Sequence, residues 1–390
     1  MIKITKVDSF ENFMELEGIW NDILYRSYAE PTFLRFEWIS NWWKSFGKDK
    51  ELLVLLAEED EKIIGIAPLM IVSVKKFGVT IKKVEFIGMP LSDYSDFIII
   101  DRKKEVITKF YDYLHENKNL WGFIKLNRIL ESSPTLDLMN KIPKKRLLFN
   151  RFLSDIAPCL NLEDEDYIKK RIKSKKRRKR IRRIKNEGNA FFSMLSEGKE
   201  KFSFLIEKFF EMHKEKWNKT KTPSMFNDKE YENFFMNVFT SLVDKGFADI
   251  FYFKINDEIV SSEILFLDDK KVLTYNSSYN IKYSKFSPGI TTTLMMIDYC
   301  LSRDFDEVNF LRGNEKYKLE LSNNSKKIFN LGIHKNIILY ALDSALSILE
   351  KKIKENDKLY SFFIKYEKKI KDFLIIDSYI LRFLCCHIFL

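Results

Sequence analysis

Residues Asn276 to Gly313 read NSSYNIKYSKFSPGITTTLMMIDYCLSRDFDEVNFLRG, and this stretch decides the fold of the second half of the chain. A polar strand ends in a loop, and Ser-Pro-Gly then opens an apolar helix. Proline and glycine at such a place mark a helix start. The sequence after the helix, EVNFLR, predicts one more strand, which runs into Gly313.

Upstream of this stretch, the pattern predicts two helices and then three strands that form an antiparallel meander. The helices cover Lys201 to Trp217 and Asp228 to Lys245, and the strands cover Ala248 to Ile255, Ile259 to Leu267 and Lys271 to Ser278. The second half of the chain is therefore predicted to be an α/β unit, with helical sequence following it.

The first half of the chain predicts an α/β unit as well. Its elements are a helix from about Ser9 to Tyr25, a Trp-rich helix near Glu37, strands at Leu52 to Ala57 and Ile63 to Val72, the strands KKVEFIG and DFIII, a helix from Lys103 to Glu116 and the strand GFIKLNRI.

Laying the chain on itself brings similar segments of the two halves together. One alignment places the aromatic helix stripe Phe33, Glu37, Trp38, Trp42, Phe46 on Phe226, Glu230, Tyr231, Phe235, Phe239. A slightly longer shift places the hairpin around Asp60 on the hairpin around Asp257. Aromatic stripes also arise from ordinary core packing, but the shared order and spacing favour a duplication.

Composition limits the class of protein. The 390 residues suffice for two or three domains, and 45% hydrophobic with 15% aromatic residues indicate a globular protein rather than a disordered one. The four cysteines show no CxxC spacing, which favours a reducing cytoplasm. The amino-terminal sequence lacks the apolar core of a signal peptide.

The carboxyl-terminal sequence FLIIDSYILRFLCCHIFL has about the length of a short membrane span. It carries Asp377 and Arg382, and central charges disfavour insertion. We therefore expect no integral span, but a docked helix or one lying on a membrane surface. A peripheral position at the inner membrane face is the alternative to a freely cytoplasmic protein.

Residues 169–185 read KKRIKSKKRRKRIRRIK, and without this run the chain, whose net charge is +11, is close to neutral. Such a segment binds polyanions, with an affinity that falls as salt rises. No base-reading module accompanies it. Three interpretations stay open: a solvated helix face, a surface for anionic lipid, and a channel for a phosphate-rich substrate.

HKEKW, at residues 213–217, and the stretch from Asn276 to Lys318 resemble the acetyltransferases labelled CelD/BioF-like, within the GNAT superfamily. The segments FLRFEWISNWWKSFG, IIGIAPLMI and VEFIGMPLSDYSDF resemble the first half of the same family. The resemblance covers about Phe33 to Lys318. The duplicated arrangement also resembles the Fem peptidyltransferases, which add amino acids to peptidoglycan precursors.

The resemblance implies an α/β (α+β) protein with two tandem GNAT-like domains and a helical carboxyl-terminal tail. Each domain would be a mixed, mostly antiparallel sheet flanked by helices. The expected division is 1–157 for the first domain, 158–187 for a basic helical connector, 188–335 for the catalytic domain and 336–390 for the tail.

The resemblance further implies transfer of an acetyl or acyl group from acyl-CoA to the amine of an amino sugar, amino acid or envelope precursor. That reaction needs a fixed thioester carbonyl and a neutral amine, and it needs no metal. A Fem-like alternative uses aminoacyl-tRNA, whose backbone the basic segment would contact. A third hypothesis is a non-catalytic protein that binds polyanions or a membrane surface.

Candidate donor-binding residues lie at the helix start, where free backbone N–H groups attract phosphate. In GNAT proteins this position holds the pyrophosphate of coenzyme A. By resemblance the candidates are Ser287, Gly289, Ile290 and Thr291, although this loop has only one glycine. An ordinary capped helix is the alternative.

Substrate contacts are expected from the preceding strand, where Tyr275, Ser277 and Tyr279 share one face and Asn276 and Ser278 the other. Polar residues on both faces suit a strand that splays to admit a ligand, and they suit an edge strand equally.

The end of the last strand supplies further candidates. Asn309 would reach the cleft and hydrogen-bond there, while Tyr317 and Lys318 would fold back over it. Lys318 matches the lysine of the Fem-like end motif, which implies a contact with phosphate or carboxylate, and Arg312 is a second candidate for that contact. A surface turn with solvated charges is the alternative.

Two residues are candidates for the general base. Glu263 lies among apolar strand neighbours, where burial raises a carboxyl pKa. His213 lies beside Trp217 on the first helix of the catalytic half, where packing is an equal explanation. Deprotonation through water is the third possibility.

Overall fold

The computed structural model describes residues 1–76, 79–141, 147–220 and 223–354, which form two units. Unit 1 contains Met1–Asp155 together with the described residues from Lys327 onward. Unit 2 contains Ile156–Lys326. The basic segment, residues 169–185, therefore lies in unit 2.

The described residues of the first half of the chain form seven strands and five α-helices. In chain order they are β1 (Lys3–Val7), α1 (Phe10–Met14), α2 (Glu17–Arg26), α3 (Phe36–Phe46), β2 (Lys50–Glu59), β3 (Lys62–Lys76), β4 (Val79–Phe86), β5 (Ile98–Ile99), α4 (Lys103–Glu116), β6 (Phe123–Leu130), α5 (Pro134–Lys141) and β7 (Leu148–Asn161).

The second half repeats this order after two short helical segments. Its elements are α6 (Glu165–Tyr167), α7 (Lys175–Lys185), β8 (Ala190–Met194), α8 (Phe202–Trp217), α9 (Lys229–Asp244), β9 (Ala248–Ile255), β10 (Glu258–Asp268), β11 (Lys271–Tyr279), α10 (Pro288–Leu301), β12 (Glu307–Asn309), α11 (Lys316–Leu321), β13 (Asn324–His334) and α12 (Ile337–Lys354).

Each unit is a mixed, mostly antiparallel sheet with helices packed on it. In unit 1 the order is β1-β2-β3-β4-β6-β13, and only β4 and β6 are parallel. In unit 2 the order is β7-β12-β11-β10-β9-β8, and only β11 and β12 are parallel. The predicted fold class, two tandem α/β units of the same kind, is confirmed.

In each unit, one strand of the sheet comes from the other half of the sequence. β13 pairs with β6 in unit 1, through Ile328 opposite Leu130 and onward to His334. β7 pairs with β12 in unit 2, through Asn161 opposite Glu307. Each unit therefore contains strands from both halves of the chain. Neither β7 nor β13 was expected from the sequence.

The two matched hairpins share one turn geometry. Asp60 and Glu61 have φ of 47° and 62°, and Asn256 and Asp257 have φ of 50° and 66°. Positive φ at both central residues is the signature of a two-residue type I′ turn. Asp60 therefore corresponds to Asn256, so the sequence alignment that placed Asp60 on Asp257 was wrong by one residue.

The core of unit 2 lies between its sheet and α10, and α7 packs on α10. Ile172 and Ile184 of the basic segment are buried in this core, as is Ile168 just before it. The charged residues of the segment therefore point outward because its isoleucines point inward.

The predicted helical tail begins as α12, one residue after the expected Asn336. The rest of the tail, including Cys385 and Cys386, lies outside the described residues. Within the described ranges, none of the helices combines the length and the apolarity that crossing a bilayer requires.

Candidate active site

The two parallel strands of unit 2 separate soon after they meet. β11 and β12 pair only from Lys271 to Leu273, opposite Glu307 to Asn309. Beyond Leu273, β11 continues to Tyr279 with β10 as its partner. The chain after β12 turns away with a left-handed residue at Leu311, where φ is 54°. Among the described strands, the second half of β11 therefore has no partner on the side of β12, which fits a splayed strand and an edge strand alike.

A bulge changes which side chains of β11 share a face. Leu265 lies opposite Thr274, but the preceding Ile264 lies opposite Asn276, so Tyr275 is the extra residue. The ring of Tyr275 packs on the rings of Phe235, Phe239 and Phe266, at centroid distances of 5.9, 6.1 and 5.2 Å. The prediction that Tyr275 shares a face with Ser277 and Tyr279 was wrong, because simple alternation does not allow for the bulge.

The start of α10 offers two backbone amides. Ser287 precedes the helix in the left-handed region, and Pro288 has no N–H. No hydrogen bond of the described residues uses the amides of Gly289 and Ile290. The amide of Thr291 donates to the Ser287 carbonyl at 3.2 Å, so it is not available as predicted. The helix start is therefore a smaller anion site than expected.

Lys216 of α8 lies next to this helix start, although no sequence pattern points to it. Its Nζ lies 4.9 Å from the centre of the Tyr279 ring, and the Tyr279 ring is 3.6 Å from where a Cβ on Gly289 would be. The ammonium has no acidic partner among the described residues. Burial lowers the pKa of Lys216 to about 8. A lysine in the sequence HKEKW reads as a solvated helix position, which is why pattern analysis missed it.

Two further cations lie at the loop before α10. Lys285 Nζ is 4.7 Å and the Arg183 guanidinium carbon 5.9 Å from the centre of the Phe286 ring. Arg183 belongs to α7, so the basic segment reaches the same loop. The charge around the start of α10 is therefore positive beyond the helix dipole alone.

Glu263 is a buried acid of unit 2, with 3% of its surface exposed. It lies on β10 opposite Ser277, and Thr293 Oγ1 of α10 lies 3.3 Å from its Oε1. Its Oε2 has no hydrogen-bond partner in the described structure. Desolvation raises the pKa of Glu263 to about 8, against the opposing effects of Thr293 and the Lys318 charge. The expectation that burial tunes this carboxyl is supported.

Lys318 is buried rather than solvated, with 4% exposed. Its Nζ donates to the Arg312 carbonyl at 2.9 Å and lies 3.3 Å from Glu315 Oε2. The Glu315 carboxylate lies against Gly313, where a Cβ would come within 2.2 Å of it and where φ is 138°. The alternative of a surface turn with solvated charges is therefore wrong for Lys318, because the turn folds around the ammonium.

Asn309 and Tyr317 are the remaining candidates from the end of β12 and the turn after it. Asn309 is buried, and its Oδ1 accepts a hydrogen bond from the Leu311 amide at 2.9 Å, which shapes the turn away from β11. Desolvation, with the charges of Glu315 and Glu263, raises the pKa of Tyr317, so its phenol stays protonated. The structure thus brings Glu263, Tyr317 and Lys318 together, with Asn309 in a structural position.

His213 has a different environment from these residues. Its ring stacks on Trp217 at 5.6 Å, meets Phe226 edge-on at 4.9 Å, and its Nδ1 lies 2.8 Å from Ser224 Oγ. Burial and the charge of Lys216 lower the pKa of His213 to about 3. The imidazole is therefore neutral and a weak base, and its contacts are those of a packed core residue.

Family comparison agrees with the geometry of unit 2. Residues 171–319 match the family model described as an acetyltransferase (GNAT) domain. This range includes β11, α10 and β12, together with Glu263 and Lys318. Compared with curated protein sequences, the chain gives no significant match.

Solved structures share the fold over most of the chain. FemX is 12% identical, with a TM-score of 0.59 over 87% of this chain and 99% of its own. The C-terminal domain of a putative lysylphosphatidylglycerol synthetase from Agrobacterium fabrum is 10% identical, with a TM-score of 0.55 over 88% and 97%. L-PGS from Bacillus licheniformis is 12% identical, with a TM-score of 0.51 over 85% and 95%. At these identities the similarity concerns the fold.

Proposed function

With its acetyltransferase (GNAT) domain the chain is a GNAT-type N-acyltransferase, and we propose that its donor is an acyl-CoA and its acceptor the amine of an amino sugar, amino acid or cell-envelope precursor. The observation that carries this proposal is the end of the β11–β12 pairing at Leu273, which would leave an opening between the strands, with the start of α10 at Tyr279 of the same unit. A thioester placed in that opening would lie next to the β12 turn.

In this proposal the diphosphate of the donor binds the start of α10. The amides of Gly289 and Ile290 donate to phosphate oxygens, and Ser287 lies at the exposed entrance. Lys216 and Lys285 supply positive charge on two sides of the loop. The acyl arm then extends along Ser277 and Tyr279 of β11.

The chemical step needs one base and one proton donor. The amine nitrogen bonds to the thioester carbonyl carbon, the carbon–sulfur bond breaks, and CoA leaves as a thiolate. Glu263 takes the proton that the nitrogen loses, since its Oε2 has no partner in the described structure. Tyr317, whose raised pKa keeps its phenol protonated, donates a hydrogen bond to the thiolate, which takes its proton from water while Glu263 returns its proton to water.

Lys318 acts in this proposal on the base rather than on the substrate. Its ammonium favours the ionised form of Glu263 and so keeps the pKa of that carboxyl from rising further. Arg312 accepts the Lys318 hydrogen bond through its carbonyl. A contact between Arg312 and a substrate anion stays a prediction.

An aminoacyl-tRNA donor is the second candidate, favoured by the outward-facing cations of α7. Lys175, Lys176, Arg178 and Lys179 are exposed, and Arg183 reaches the loop before α10. A phosphodiester backbone lying on α7 would therefore end near the same opening.

Three expectations stay predictions: membership of the CelD/BioF-like group, the division at 157, 187 and 335, and a cytoplasmic or inner-membrane location.

Thermal shift with acetyl-CoA, longer acyl-CoAs and deacylated tRNA separates these donors, since a ligand raises stability by mass action. We expect acyl-CoA to raise Tm in the native protein and not in Gly289→Val, whose γ-methyls fill the space at the Tyr279 ring. Gly18→Val is the matched control, because a Cβ at Gly18 meets nothing within 4 Å. Equal stabilisation of both variants by acyl-CoA contradicts the donor site.

A further inference from the structure

Resting on the proposed acyl transfer, we propose that Ser262, Asn276 and Ser278 form a subsite for hydroxyl groups of the acceptor. The acceptor is then a hydroxylated amine of the amino-sugar class, rather than an alkylamine. The argument depends on three buried side chains that share one face of β10 and β11 and each have an oxygen without a hydrogen-bond partner in the described structure.

The strand register brings these side chains together. Ser262 lies directly opposite Ser278, and Ile264, two residues on, lies opposite Asn276. Residues opposite each other in an antiparallel pair share a face, and residues two apart on one strand share it as well. The bulge at Tyr275 keeps Asn276 on this face.

All three side chains are removed from solvent. Ser262 is 1% exposed, Asn276 is 4% and Ser278 is 0%. Ser262 Oγ, Asn276 Oδ1 and Ser278 Oγ have no hydrogen-bond partner in the described structure. Buried polar groups are rarely left unpaired, because the lost hydrogen bonds to water are not replaced. Three such groups in adjacent positions therefore indicate that something else occupies them.

The opposite face of β10, which is turned toward α10, carries Ser261 and Glu263. Ser261 bonds to Thr292 of α10, and Glu263 has Thr293 beside it. Glu263 Oε2 on this face also has no partner in the described structure, so three of the four unpaired atoms of β10 and β11 lie on the face turned away from α10.

The surroundings of this face fit a sugar. α8 packs against β11 and carries Trp217, which is 5% exposed, with Lys216 beside it. Sugars are commonly held by aromatic rings together with side chains that both donate and accept hydrogen bonds. A serine hydroxyl and an asparagine amide do both, so they match ring hydroxyls. An alkylamine would leave all three groups unpaired.

The test compares Ser262→Ala and Ser278→Ala with Ser261→Ala as the control. Ser261 is equally buried on the same strand but has its partner inside the protein. Acceptors are glucosamine and cyclohexylamine, with acetyl-CoA as donor and released thiol as the readout. Calorimetric binding of both amines to the CoA-bound protein gives a second measurement that does not need turnover.

We expect Ser262→Ala and Ser278→Ala to raise KM and Kd for glucosamine about tenfold, with kcat and the Tm of the free protein unchanged. Their values for cyclohexylamine should stay the same. Ser261→Ala should lower Tm and leave the Kd for glucosamine unchanged, since its loss breaks an internal hydrogen bond.

Two results would overturn the proposed hydroxyl subsite. If structural water fills the site, Ser262→Ala and Ser278→Ala lower Tm and leave glucosamine binding unchanged, which overturns the proposal. Equal Kd values for the two amines in the native protein overturn it as well. Failure of the acyl-transfer proposal is separate, because it appears as absent stabilisation by acetyl-CoA and absent thiol release with either amine.

Discussion

Replacing Glu263 with glutamine tests the buried acid directly, because the substitution keeps the shape and removes the titration. Each unit by which a folded pKa differs from its unfolded value is worth about 1.4 kcal/mol. Burial raises the pKa of Glu263 from 4.5 to about 8, which corresponds to roughly 5 kcal/mol as an upper bound.

The direction of the effect follows from proton binding. Below the unfolded pKa of 4.5, folded and unfolded chains both carry the proton. Between that value and about 8, the folded state keeps a proton that the unfolded state has lost, so stability falls as pH rises. Above the folded pKa the loss is complete. Glu263→Gln should remove this pH dependence and leave the free energy of unfolding flatter across the window.

Urea unfolding between about pH 5 and pH 8 measures this difference. Glu207→Gln, at an exposed position of α8 in the same unit, is the matched control and should retain the slope of the native protein. The reasoning is refuted if Glu263→Gln keeps that slope, or if the native protein has none.

Three further outcomes follow from the same site. Lys318→Met should move the midpoint of the rising limb of the kcat/KM pH profile above about pH 8, because the Lys318 charge favours ionised Glu263. The variant should also cost about 1–3 kcal/mol of stability, because Glu315 loses the ammonium beside it. An unmoved pH profile contradicts the positioning role. His213→Phe should keep the pH profile of kcat/KM, and a lost limb would restore His213 as the base. Arg178→Ala should weaken tRNA binding and reduce its salt slope by about 1 if tRNA is the donor, whereas acyl-CoA turnover should not change.

Local pattern predicted the elements whose ends are marked in the sequence. α4 and β9 have the predicted bounds, and α10 begins at the predicted Ser-Pro-Gly. β7 and β13 were not predicted because they pair with strands that are far away in the sequence. β7 contains Pro158, which cannot donate to a ladder, and β13 begins with a polar run.

In the candidate site as well, local sequence pattern predicts some features, whereas others depend on tertiary contacts. Apolar neighbours on the strand were sufficient to predict that Glu263 is buried, and the structure places it so. The burial of Lys318 depends on a turn that folds around its ammonium, and the position of Lys216 depends on where α8 meets Tyr279. Neither arrangement leaves a spacing in the sequence, since both are made by tertiary contacts.

Comparing the crossover helices of the two units explains why the donor site is proposed in unit 2. Both helices follow a left-handed residue, Arg102 before α4 and Ser287 before α10. In unit 1 the Arg102 guanidinium is bonded to Glu59 and Glu105, so the start of α4 is occupied by an ion pair with two acids.

In unit 2 the corresponding position carries Pro288 and Gly289, with Lys216 and Lys285 nearby. A phosphate approaching α4 would meet the carboxylates of Glu59, Glu105 and Asp101, whereas one approaching α10 would meet amides and ammonium groups. The duplication therefore supplies the same backbone twice, and the charge at the helix start determines which copy is suited to an anionic donor.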